Sequence, residues 1–473
     1  MKRDPAHLIP PGPARHSSLD TPTAFEQTAA NALDAVSKPL LEPLAEWPYR
    51  APRWLPTAHA QTIVPALFAH RPEVKYRRQR WTTPDGDFID LDWLSYDVDT
   101  ADAATAGNAS ARANPTAANP ARTEVQNATS TSFDEAATSR NHADADAGSK
   151  ARSENRQAAS ASFHEAVASQ SDTDAPSTSR GAALPAANAS LDPSAPLFVL
   201  FHGLEGSSDS HYARVLMAEA KARGWHGVVP HFRSCSGSMN LLPRFYHLAD
   251  SAEVDWVLRR LKAQHAGPVV AAGVSLGGNV LLRWLCEQEQ DAAAILDAAA
   301  AISAPLDVHA GGHAISQGFG MVYTRSFLKT LKRKALAKLD QYPGLFDRDA
   351  MLAARTMHAF DNAVTAPLHG FRDTDDYWTR ATTRPYLPRI ALPTLLLNAR
   401  NDPFLPGRVL PSEAEVSAAV TLAQPAHGGH VGFMTGPFPG RIDWLSQRVF
   451  GYLQTHVRQV KPTLHPTDTD KHG

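Results

Sequence analysis

The chain has 473 residues, 46 basic and 48 acidic side chains, and a formal net charge of −2. No strong field therefore draws it to nucleic acid or anionic lipid. Its 2 cysteines, Cys235 and Cys286, exclude a disulfide framework and a cysteine zinc site. No run of about eighteen uncharged apolar residues occurs, so no spanning helix is expected. Met1 to Pro5 has no apolar core behind it, so no secretory signal is expected and the location reads as cytoplasmic.

Residues 1–48 read as a partly disordered extension, with a modest helical pattern at Thr23–Glu46 broken by Pro39 and Pro43. From Tyr49 the chain becomes globular. Lys75–Thr83 has strand character and Pro84-Asp85-Gly86-Asp87 is a turn signal. Phe88 to Leu94 alternates with period two, which predicts a half-buried strand and hence an edge hairpin. Residues 97–194 are Ala, Ser, Thr, Asn, Asp, Arg and Pro with hardly an aromatic or β-branched side chain. Such a segment cannot bury enough apolar area to offset chain entropy, so it reads as a disordered insert. A weak repeat within it (Ser132-Phe133-Asp134-Glu135-Ala136 and Ser162-Phe163-His164-Glu165-Ala166) fits a loop grown by slippage.

Pro196 to Phe201 is a continuous apolar run of the buried parallel kind. It ends in His202-Gly203-Leu204-Glu205-Gly206, and the helix after it is expected to be capped by Ser208 or Asp209. Trp225–Pro230 reads as the next strand, followed by His231 to Gly237. There Arg233 is suited to hold a carboxylate and brace the loop. A helix from Asp250 to Leu261 carries Val254, Val257, Leu258 and Leu261 on one face.

Val269 to Asn279 is the centre of the chain: an apolar strand, the turn Gly273-Val274-Ser275-Leu276-Gly277, then a helix. A serine at such a turn sits in a strained backbone with its hydroxyl projecting clear, and glycines two before and two after let strand and helix pass. The helix N-terminus favours negative charge there. Ser275 is thus the expected nucleophile. The N–H of Leu276 and that of Leu204 are the expected oxyanion donors.

Ala298–Ser303 reads as a small-residue strand. Residues 305–389 turn helical and are expected to cover the site as a cap, with Lys329, Lys332, Arg333 and Lys334 on a solvated face. His369 is read either as lining the pocket or as hydrogen-bonded structure. Two late strands, 393–398 and 419–422, lead to Asp402 and to His427-Gly428-Gly429-His430. An Asp past a strand end can orient a histidine that takes the serine proton. His427 competes with His430, which is preferred because Gly428 and Gly429 let the loop swing back over the turn. Cys235 lacks a comparable turn and is set aside, Cys286 reads as a buried small hydrophobe, and His202 reads as a loop-fixing histidine. A final helix runs through Ile442, Leu445, Val449 and Leu453, and 459–473 is read as a flexible tail.

These residues together resemble the YheT-like branch of the α/β-hydrolases, a group that includes eukaryotic α/β-hydrolase-domain lipases. The likeness covers 49–96 and 195–458. It rests on Pro52-Arg53-Trp54-Leu55 with His59 and Gln61, Thr83 to Asp87, His202 to Gly206, Arg233 to Gly237, Leu242-Pro243-Arg244 with Tyr246-His247, Gly273 to Asn279, Ala366 to Phe371, Asn401 to Phe404, and Gly428 to Phe433. The resemblance implies an α/β fold with a mostly parallel eight-stranded sheet flanked by helices, and a helical cap insertion. It implies a charge relay of Ser275, Asp402 and His430, no cofactor or metal, and hydrolysis of short- to medium-chain carboxylic esters or acylglycerols. The expected partner is a small-molecule ester or lipid, with no nucleic acid. Thioester or amide chemistry is the nearer alternative, and a non-catalytic binder of the same fold the remoter one. Ser234 stands where glycine is expected, and the 97–194 insert is foreign to the pattern.

Overall fold

The computed structural model describes residues 48–96 and 191–457. The helical pattern at 23–46, most of the 97–194 insert and the 459–473 tail lie outside the described residues. Eight strands form one sheet: β1 (Tyr76–Thr82), β2 (Phe88–Leu94), β3 (Leu197–Phe201), β4 (His226–Pro230), β5 (Val269–Val274), β6 (Ala298–Ile302), β7 (Thr394–Leu397) and β8 (Val420–Ala423). Their order is β1-β2-β4-β3-β5-β6-β7-β8. β1 and β2 pair antiparallel, β2 meets β4 antiparallel, and every pairing from β4 to β8 is parallel. The chain fills the sheet first on one side of β3 and then on the other. A strand order that reverses in this way opens a crevice at the carboxyl ends of the strands.

All five residues of β3 are buried because both faces of the sheet are covered. Leu197, Val199 and Phe201 pack with helices α3 (Ser251–Gln264) and α4 (Leu276–Gln288). Phe198 faces the other way, its ring 4.7 Å from Phe450 of the last helix (Asp443–His456). Burying a Leu, Val or Phe side chain is worth about 1.5–3 kcal/mol. That offsets the ~1–2 kcal/mol of backbone entropy lost per residue, which is why an uninterrupted apolar run is stable as a strand here.

The hairpin corrects one expectation. β2 is buried along its whole length rather than on one face. Its alternation separates an apolar face from an ionic one: Asp90 and Asp92 each accept two hydrogen bonds, from Arg80 and Arg78 directly opposite on β1. Ser236 closes over Asp90, and Ser208 and His231 close over Asp92. Of the hairpin, only β1 lies at a sheet edge; β8 forms the other edge.

The cap expected for α2 (His211–Ala222) also moves. Ser210 holds the N-cap position, without a side-chain capping bond. Ser208 is occupied by Asp92 instead.

Between β6 and β7 the chain forms helices α5 (Val308–Ile315), α6 (Gly320–Gln341), α7 (Arg348–Ala353), α8 (Met357–Phe360) and α9 (Thr374–Ala381). They bury a second apolar cluster that includes Leu328, Phe346, Met351, Phe360 and Trp378. The basic run on α6 is solvated only at Lys329 and Arg333. Lys332 donates to the carbonyls of Leu352 and Ala354, and Lys334 pairs with Glu205 at 2.7 Å, tying α6 to the loop after β3. No helix among the described residues is long and apolar enough to cross a membrane.

Candidate active site

Ser275 sits between β5 and α4 at φ 53° and ψ −117°, a conformation that L-residues rarely adopt. The turn tolerates it because its neighbours lack side chains. A Cβ on Gly273 would stand 2.6 Å from the Gly277 carbonyl carbon, and one on Gly277 2.5 Å from the His202 oxygen. The Ser275 N–H is held by the Ile302 carbonyl at 2.8 Å. Asn279, one turn into α4, donates to the carbonyls of Leu248 and Ala381 and accepts from Thr383. These bonds lock the first turn of the helix against the segments around it.

The structure brings the three expected side chains together. His430 Nε2 lies 3.0 Å from Ser275 Oγ, and His430 Nδ1 lies 2.9 Å from Asp402 Oδ2. The second Asp402 oxygen accepts the Phe404 N–H at 2.7 Å, and the carboxylate side chain is wholly buried. The Phe404 ring stacks on His430, centroids 4.0 Å apart and planes 12° from parallel. His427 is exposed, its Nδ1 3.5 Å from the Asn401 amide, away from the serine.

The loop that carries His430 is held by residues far away in sequence. Gly428 and Gly429 adopt φ 144° and 59°. The Gly428 N–H donates to Gln61 Oε1, and the His430 N–H donates to Thr62 Oγ1 at 2.9 Å. Both belong to α1 (Ala58–Phe68). Ser303, just past β6, accepts the Val431 N–H. Gln61 carries a visible signal in the sequence, the Pro52 to Gln61 run; Ser303 carries none.

The loop after β3 is fixed in the same way. His202 donates from Nδ1 to the Gly203 carbonyl at 2.8 Å and accepts the Phe232 N–H at Nε2. Burial holds its pKa down at about 3, so the ring stays neutral and keeps both bonds. The amides of Gly203, Glu205 and Gly206 go to Tyr212, Tyr246 and the Gly203 carbonyl. Leu204, between them, lines the cavity at Ser275 together with Leu276. Leu276 is the first residue of α4, where an amide has no partner within its own helix.

That cavity, about 100 Å³, holds Ser275 and His430. Apart from Ser275, Ser303, His430 and Asp361 its wall is apolar. Cys235 is half-buried, and desolvation pushes its thiol up to about 11 and leaves little thiolate. The Cys286 thiol is likewise pushed up to about 12.

Arg233 braces its loop with Glu253 at 2.6 Å, Asp87 at 2.8 Å and Asp85 at 3.0 Å. Ser234 occupies a left-handed position at φ 64° and hydrogen-bonds Asn240. His369 packs 4.4 Å from His247. Among the described residues no group of three His, Cys, Asp or Glu is arranged to hold a metal ion.

Residues 196–437 match the family model of the alpha/beta hydrolase fold. The chain is 40% identical to the protein YheT of Escherichia coli (strain K12) over 266 residues, which is 55% of this chain and 77% of that one. It is 30% identical to the phospholipase ABHD3 of Mus musculus over 55% of this chain and 64% of that one, just under two thirds of that relative's length. An esterase of Pyrococcus furiosus of known structure is similar at 13% identity and a TM-score of 0.41, over 87% of this chain and 97% of that one. With the sheet order and the strained turn at Ser275, the family match shows that this chain belongs to the alpha/beta hydrolase fold family, in the branch that holds YheT and ABHD3.

Proposed function

We propose that the protein is a serine hydrolase that cleaves carboxylic esters, short- to medium-chain acyl esters or acylglycerols, through an acyl-enzyme. The observation that carries this reading is the unbroken hydrogen-bond chain from Asp402 through His430 to Ser275. Asp402 accepts the Nδ1 proton, so His430 Nε2 is the basic nitrogen and faces the hydroxyl. Ser275 Oγ attacks the carbonyl carbon as its proton passes to Nε2. The carbonyl oxygen becomes an oxyanion against the amides of Leu204 and Leu276; one such donor is worth about 2.7–4 kcal/mol in the transition state. His430 then protonates the departing alcohol, and water repeats the sequence to release the acid. No cofactor or metal enters this route.

The apolar wall of the cavity suits an acyl chain. The names of ABHD3, a phospholipase, and of YheT, an esterase, agree with ester chemistry. The test is labelling by a fluorophosphonate together with a panel of p-nitrophenyl esters of graded chain length, run beside acyl-CoA. Label on Ser275 and ester turnover are expected, with Ser275→Ala losing on the order of 10⁶ in kcat. Activity retained in that variant refutes the assignment, and preference for acyl-CoA would make the enzyme a thioesterase.

A further inference from the structure

One buried carboxyl in the reaction cavity has no part in that mechanism. Asp361 opens a single π-type turn, Asp361–Thr365, in which the Ala366 N–H donates to the Asp361 carbonyl five residues back. Such turns recur at functional sites. Thr365 donates its hydroxyl to one carboxylate oxygen at 2.7 Å, and the Trp378 indole N–H donates to the other at 2.9 Å. Asp361 is 7% exposed, and both of these partners are neutral. Buried carboxylates are ordinarily paired with a cation. Burial accordingly raises this acid to about 6. Each oxygen retains a lone pair for a further donor.

Two chambers meet at this residue. The first is the 100 Å³ cavity of Ser275 and His430. The second, about 80 Å³, is also walled mostly by apolar side chains, but Glu205, Lys334, Thr365 and His369 stand in its lining. The walls share Leu204, Leu248, Leu276, Met357 and Asp361, so Asp361 is the polar residue at the boundary. Leu204 and Leu276 are also the residues whose amides face the reacting carbonyl in the reading above. A substrate bound there thus has the chamber of Ser275 on one side of the carbonyl and, on the other, a chamber whose wall carries Glu205 and Lys334. Trp378 is held for its task. A Cβ on Gly312 would overlap its ring, and the rings of His309 and His358 stand edge-on to it at 5.6 and 5.2 Å.

We propose that Asp361 is a specificity-determining residue of this site, accepting a hydrogen bond from a donor, hydroxyl or ammonium, on the alcohol half of the ester. The acyl half occupies the first chamber and the alcohol half points toward the second, past Asp361. The proposal rests on the ester-hydrolase reading. A site with a buried acceptor rejects an analogue that lacks the donor far more strongly than an apolar pocket rejects a changed methylene.

The test uses three butanoate esters that share one acyl group: propyl, hydroxyethyl and dimethylaminoethyl, the last protonated at neutral pH. Wild type is expected to favour one or both donor-bearing esters over the propyl ester by about tenfold or more in kcat/KM. Which of the two is favoured separates hydroxyl from ammonium. Asp361→Asn keeps the internal contacts, since its amide N–H₂ donates to Thr365 and its oxygen accepts from Trp378. It is expected to erase most of the preference, bringing the kcat/KM ratio of donor-bearing to propyl ester to within about twofold of one.

A second readout needs no variant. The selectivity ratio of the wild type should rise from pH 5 to pH 7 as Asp361 ionises. The other titratable groups around it are His358, Tyr377 and His430, with Glu205, Tyr246, His247, Lys334 and His369 around the second chamber. A change in the relay itself slows all three esters alike and divides out of the ratio. No preference in wild type, a ratio flat with pH, or an Asp361→Asn variant that slows all three esters equally overturns the proposal. If wild type turns over none of the esters and Ser275 takes no phosphonate, the ester-hydrolase reading has failed and this inference falls with it.

Discussion

Asp402→Asn is a sharp test of the relay because the structure dictates how the amide must sit. One Asp402 oxygen accepts the Phe404 N–H at 2.7 Å, and the other faces His430 Nδ1 at 2.9 Å. An Asn side chain keeps its oxygen on the Phe404 amide, since the reverse would set two donors against each other. Its N–H₂ then points at His430 Nδ1, which must become an acceptor, so the ring proton moves to Nε2. Nε2 is the atom 3.0 Å from Ser275 Oγ. Carrying a proton there, it cannot take another from the serine. The geometry is nearly isosteric, so the loss is one of tautomer rather than of folding. Comparable changes cost about 10⁴ in kcat, or about 5 kcal/mol at 1.36 kcal/mol per decade. The assay is steady-state hydrolysis of p-nitrophenyl butanoate, with the rate of phosphonate labelling as a second readout and the melting temperature as control. A folded Asp402→Asn enzyme within tenfold of wild type would sink the reasoning.

Other consequences can be checked more briefly. Gly277→Ala drives a methyl into the Phe201 and His202 carbonyls, which are backbone and cannot yield. It should cost at least about 3 kcal/mol and stop labelling of Ser275, and a wild-type melting temperature with normal labelling would count against the packing argument. Ser234→Gly relieves a left-handed residue by ~1–2 kcal/mol. It also strips two hydrogen bonds from buried Asn240 at ~1–3 kcal/mol each, so the melting temperature should fall; a rise means the strain term dominates.

Burial tends to raise Asp87, Asp90 and Asp250, but hydrogen bonds and arginines outweigh it and hold them below the usual range. Depressed folded-state values give stability that is present above about pH 4 and lost as pH falls through them. Unfolding monitored from pH 6 to pH 2 should show this loss below about pH 4, and a flat profile would contradict it. Replacing 97–194 with a short flexible linker should leave both melting temperature and ester turnover unchanged, and a large fall in either would overturn the compositional reading of that segment.

The turn at Ser275 was legible because its chemistry is local: glycines two before and two after, an apolar run ahead, an apolar helix behind. The order Ser275, Asp402, His430 followed from strand ends along the chain, and the structure brings those three side chains within hydrogen-bond reach. Signals of short range also identified Arg233 as a carboxylate clamp and His202 as a loop anchor.

Long-range pairing was not legible. Period two in β2 reads the same whether its polar face meets water or two arginines, and only the β1 register and the loops after β3 and β4 decide that Asp90 and Asp92 are buried. Ser208 looks like a helix cap until Asp92, 116 positions earlier, claims its hydroxyl. The His430 amide finds its acceptor on Thr62, 368 positions away. Asp361 is one acid in a helical stretch, and only the folding of α8 against α9 sets it beside Trp378 at the wall between two chambers. Short-range patterns report which conformations the backbone can adopt. Which polar groups lose water together is decided by how distant segments pack, and that carries no periodicity to read.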